Sequence, residues 1–90
     1  MYYIIPEGAL ARRIYVYLEK QPRSLVARQK LQKLADAYKF SDRVFFEACE
    51  QLDRTVTIGK TYKPDRQWYY AWYPFDSDEV RERVAHLESF

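Results

Sequence analysis

Ninety residues, 48% of them hydrophobic and 18% aromatic, at a net charge of only +2, make a single domain that can build a core without covalent staples. One Cys and one His exclude a disulfide framework or a zinc site formed within one chain, and paired-thiol redox chemistry with them. No stretch approaches the ~20 apolar residues of a membrane span, and no basic segment precedes MYYII, so a cytoplasmic protein without a signal peptide and without membrane partners is expected.

In chain order, residues 2–5 predict a short apolar strand or arm closed by Pro6. A first helix is expected from about Gly8 to Gln21, because Leu10, Ile14, Tyr17 and Leu18 recur at helical spacing. Arg12, Arg13, Glu19 and Lys20 cover its far side, with Val16 the one apolar exception, and Pro22 stops it. Ser24 to Ala27 reads either as the capped start of the next helix or as a short strand. From about Arg28 to Tyr38 the period is helical again, with Ala27, Leu31, Leu34, Ala35 and Tyr38 on one side. Ser41 caps a third helix running to about Arg54, where Phe45, Cys49 and Leu52 form the buried stripe beside Val44 and Ala48.

After that helix, Val56 and Ile58 alternate with Thr55 and Thr57 as in a half-buried strand, and Gly59 and the KPDRQ segment carry turn chemistry. Trp68 to Tyr73 supplies a returning strand ended by Pro74. On that strand Trp68, Tyr70 and Trp72 share one side and Tyr69, Ala71 and Tyr73 the other; one side must be core, the other covered internally or exposed. A last helix begins near Asp76, with Glu79 completing a capping box and Val80, Val84 and Leu87 as its stripe.

The spacing Leu31-x-x-Leu34-Ala35-x-x-Tyr38-x-Phe40-Ser41, followed by Phe45, Cys49 and Leu52, resembles the helix-turn-helix of winged-helix proteins, over about residues 8–74. Ala35 is small where two helices cross, Phe40 plugs the turn, and Ser41 caps the next helix. The resemblance implies an α+β, mostly helical winged helix in residues 1–90: a three-helix bundle with its helix-turn-helix at about 28–54, a two-stranded β-hairpin wing at about 55–73, and an additional C-terminal helix at about 77–89. Two positions depart from the family pattern. Lys39 stands where the turn usually has Gly, and a left-handed Lys costs of order 1 kcal/mol. The exposed face of the third helix, Ser41, Asp42, Arg43, Phe46, Glu47 and Glu50, sets one base among three carboxylates, which a phosphate backbone repels.

Charge is also uneven along the chain. Residues 1–45 hold nine Lys and Arg against four Asp and Glu, net +5, and residues 46–90 hold six against nine, net −3. The function implied by the resemblance is that of a small transcriptional or replication accessory regulator binding double-stranded DNA, of a size that suits a phage or plasmid. Ser41 and Arg43 would enter the groove, while Lys30, Lys33 and Lys39, on the basic face that also holds Arg28, grip the backbone. Lys60, Lys63 and Arg66, grouped at the hairpin tip, would form the wing contact; the plain alternative for each group is a solvated surface. A second reading makes the domain an adaptor or inhibitor, with Phe46, Glu47, Glu50, Tyr69 and Tyr73 turned to a basic protein partner. Cys49 reads as a small core residue and His86 as a polar-face residue. No catalytic set, phosphate loop or carboxylate pair is evident, so neither an enzyme nor a cofactor is expected. The chain is expected to be a monomer, or a homodimer through its last helix.

Overall fold

The computed structural model describes residues 2–88; Met1, Ser89 and Phe90 lie outside the described residues, including the last position expected for the C-terminal helix. Four helices and a three-stranded antiparallel sheet follow in the order α1 (Ala9–Glu19), β1 (Val26–Ala27), α2 (Arg28–Ala37), α3 (Asp42–Asp53), β2 (Ile58–Tyr62), β3 (Trp68–Trp72) and α4 (Asp78–Glu88). The last strand in sequence is the central one: β3 lies between β1, with Val26 opposite Tyr70, and β2, with Ile58 opposite Trp72 and Tyr62 opposite Trp68.

The expected apolar stripes meet in one core of Leu10, Ile14, Leu18, Leu31, Ala35, Phe45, Cys49, Leu52, Ile58 and Tyr70. Each fully buried Leu or Ile among them contributes roughly 1.5–3 kcal/mol. Ala35 is fully buried where α2 meets α3, and Phe40 packs half-buried against the core from the turn between them. Ser41 caps α3 as expected, its hydroxyl accepting from Val44 N at 3.2 Å. Lys39 takes the left-handed conformation, φ 63°, that the turn demands. The N-terminal arm is held rather than woven in: Tyr3 N donates to Arg54 O, and Val56 N donates to Tyr3 O.

Several local expectations fail, each for a visible reason. Of the two readings of Ser24 to Ala27 the short strand holds and the Ser24 cap does not, because β3 offers Val26 and Ala27 a ladder. Tyr38 is not on the buried stripe, since α2 ends at Ala37 and the next residue leaves the helix; its ring lies beneath the Arg13 guanidinium instead. The strand starts at Ile58, not Thr55, and the alternation before it is inverted, with Thr55 and Thr57 buried and Val56 half-buried. Those hydroxyls are buried because they have partners: Thr55 donates to Gln51 O at 2.8 Å and Thr57 to the Tyr15 hydroxyl at 3.5 Å. Gly59 sits inside β2 opposite Ala71, not in a turn, and a side chain is excluded there because a Cβ would lie 2.7 Å from the Tyr73 ring. The capping box of Asp76 and Glu79 is replaced by Ser77, whose hydroxyl accepts from Val80 N, while Glu79 reaches Arg23 at 3.0 Å.

Helix α4 turns its expected dimer stripe inward at Val80, which is buried in its own chain. Arg83 ties the helix down, donating to Ile58 O at 2.6 Å and to Asp53 O at 2.5 Å. Val80 and Arg83 thereby cover the sheet side that carries Gly59 and Tyr73.

Candidate nucleic-acid interface

The hairpin is anchored by a polar network at the end of α3. Lys60 Nζ lies 3.2 Å from Asp53 Oδ2, and the buried Tyr70 hydroxyl donates to Asp53 Oδ1 at 3.4 Å. Burial first, then the neighbouring Cys49 and Asp53, push the Tyr70 phenol well above its ordinary range. Desolvation likewise raises the Cys49 thiol, which fits a core residue rather than a reactive one. At the other edge the Trp72 indole donates to the Tyr15 hydroxyl at 3.0 Å. These bonds fix the hairpin's direction relative to α1 and α3.

Against that frame the expected contact residues separate. Lys60 is not at the tip: it sits opposite Tyr70 in mid-strand, bound to Asp53 and 4.5 Å above the Trp68 ring, so it belongs to the hairpin's base. Lys63 and Arg66 do occupy the tip. Lys63 Nζ lies 4.4 Å over the Tyr69 ring, whose hydroxyl donates to Asp65, and that bond raises the Tyr69 phenol. Arg66 holds a left-handed backbone, φ 64°, in a turn whose Asp65 carboxylate accepts from Gln67 N at 3.1 Å. Tyr69 is thus engaged at the tip, and Tyr73 lies half-buried over Gly59.

The basic face of α2 also divides. Lys30 lies on the α1 side, where the Gln21 side chain and then Lys30 hold the Tyr17 phenol below its ordinary range. Lys33 and Lys39 are exposed. Arg28 lies on the hairpin side, its guanidinium 5.8 Å from the rings of both Phe45 and Phe46. Together with Gln29 and Gln32 it faces Arg66, Gln67 and Trp68 across a groove of about 360 Å³. Gln67 Oε1, buried there, accepts no hydrogen bond among the described residues. Two guanidiniums, three amides and an indole thus line one seam between helix and hairpin, the kind of donor and acceptor set that can read phosphates and base edges.

On α3, Ser41 is used as the cap and Arg43 Nε pairs with Glu47 at 3.7 Å, both side chains in water. Phe46 is 59% exposed. Glu47 and Glu50 share a shallow recess with Arg54, Gln51 and Tyr3, so Arg54 is a second base on this face. Sequence spacing put Lys30 among the expected contacts and Arg28 only on the same helix face; the position of β3 shows that Arg28 meets the hairpin. Among the described residues no helix is long and apolar enough to cross a membrane. Comparison with family models, with curated proteins and with solved structures returned no match to this chain.

Proposed function

We propose that this chain is a small winged-helix protein that binds double-stranded DNA as a transcriptional or replication accessory regulator. The observation that supports the reading is the order α1-β1-α2-α3-β2-β3 with β3 between β1 and β2, in which a β-hairpin lies beside the α2–α3 pair where a winged helix has its wing. The grip comes from the seam: Arg28 at the start of α2 and Lys63 and Arg66 at the wing tip hold phosphates, flanked by Lys33 and Lys39. Helix α3 presents Ser41 and Arg43 to the groove, and its Glu47 and Glu50 keep base contacts few, so backbone contacts dominate.

Fluorescence anisotropy with short random duplexes, from about 25 to about 200 mM salt, tests this; three to five neutralised phosphates give a log–log slope of roughly −3 to −4.5. Arg28→Ala with Lys63→Ala and Arg66→Ala should flatten that slope by about 3. Absence of binding at the lowest salt sinks the proposal. A protein-interaction module is the second reading, favoured by one observation: Phe46 stands 59% exposed between Glu47 and the Arg28 guanidinium, an aromatic anchor in an acidic setting suited to a basic partner.

A further inference from the structure

Two residues break the local pattern of their helices, and the fold brings them to one place. Val16 is the lone apolar residue on the polar side of α1 and is 45% exposed; Tyr38 leaves the stripe of α2 and is 47% exposed. Both line a groove of about 340 Å³ between α1 and the end of α2, floored by Tyr17 and Leu34 and rimmed by Arg12, Arg13 and Lys20. No carboxylate lines it. Two of its cations are held in position: Arg12 Nε donates to Pro6 O at 2.9 Å, and the Arg13 guanidinium lies 4.4 Å over the Tyr38 ring. The volume is near the low end of ligand clefts, about 300–1,000 Å³, and suits one ring-sized anchor.

The turn into α4 has the opposite character. Phe75 is 58% exposed, and Asp76 and Asp78 are exposed beside it, while Ser77 between them is buried in its own chain. The same asymmetry marks the whole chain, basic in residues 1–45 and acidic in residues 46–90. We propose that the α1–α2 groove is a self-association site that receives this turn from a second copy of the chain. The Phe75 ring docks between Val16 and Tyr38, and the carboxylates of Asp76 and Asp78 meet Arg13 and Lys20. The contact is separate from the Arg28–wing seam and from the stripe of α4, so it forms whether or not DNA is bound.

Sedimentation equilibrium at low salt, with amide chemical shifts followed on dilution, reads the contact. The expected result is a mass that rises toward dimer or higher at up to about 1 mM protein, falls with added salt, and shifts the signals of Val16, Tyr38 and Phe75 together. A charge swap makes the test specific. Arg13→Glu with Lys20→Glu gives an acidic groove facing an acidic turn, and Asp76→Lys with Asp78→Lys gives a basic turn facing a basic groove. Each variant alone should stay monomeric and their mixture should associate, which also shows that both are folded. A wild-type mass that remains monomeric at about 1 mM overturns the proposal and leaves the groove to an acidic segment of another protein. So does a mixture as monomeric as its components, or wild-type-like association in the groove variant alone.

Discussion

The hairpin's root and tip are held by different kinds of bond. At the root, Tyr70 reaches Asp53, Trp72 reaches Tyr15 and Arg83 reaches Ile58 across 17, 57 and 25 residues of sequence. At the tip, Asp65 bonds to Gln67 and Tyr69, and Lys63 covers Tyr69, all within a few residues. Long-range bonds make the root a condition of the fold, whereas local ones let the tip keep its shape on any hairpin of this length. Substitutions at the root should therefore change stability, and substitutions at the tip should change binding.

The largest expected effect is at Tyr70, the biggest fully buried side chain. Tyr70→Ala should cost about 3–5 kcal/mol in urea unfolding, against about 1 kcal/mol for Tyr70→Phe, which loses only a long hydrogen bond. A cost below 1 kcal/mol for the alanine variant would break the distinction. Gly59→Ala comes next: its Cβ meets Tyr73 Cε2 at 2.7 Å, and overpacking of this kind costs about 1–3 kcal/mol. The penalty should largely vanish when the same change is made with Tyr73→Ala, by double-mutant cycle.

A smaller effect should appear in alkali. Cys49 and Tyr70 are both held protonated by burial, so their folded pKa values lie above the unfolded ones. Their stabilisation is complete below the unfolded cysteine value of about 8.5 and is lost as pH climbs toward the folded values. The melting temperature should therefore fall on going from about pH 8 to about pH 10, and Cys49→Ala should flatten the first part of that fall. The smallest effect belongs to the tip. Arg66→Gly relieves a left-handed backbone and should gain about 0.5 kcal/mol while lowering the DNA salt slope by about 1. A loss of both stability and affinity would place Arg66 with the root.

How much of this was legible in the sequence follows from the range of each interaction. The helix stripes, Tyr38 apart, and the Ser41 cap are local consequences of spacing and were readable; whether Lys39 would be left-handed or the turn differently built was open until the backbone showed φ 63°. The start of β2 was not, because buried Thr55 and Thr57 look like surface residues until Gln51 O and the Tyr15 hydroxyl are seen to accept from them. Gly59 read as a turn for the same reason: the ring that requires it lies fourteen positions on, at Tyr73. In the candidate site, Lys63 and Arg66 were readable as tip residues, but Lys60 was not separable from them without its Asp53 partner. Arg28 and Lys30, two positions apart, diverge only because α1 lies on one side and the hairpin on the other.

The central place of β3 also has a consequence for the order of events during synthesis. Val26 and Ala27 have no strand to join until residues 68–72 exist, and the core lacks Tyr70, its largest buried ring, until the same moment. A nascent chain that has emerged only through β2 holds three amphipathic helices around an unfilled centre, with β1 waiting and the hairpin unformed. Folding must await the final strand, and chain closure over more than forty residues sets its pace rather than helix formation.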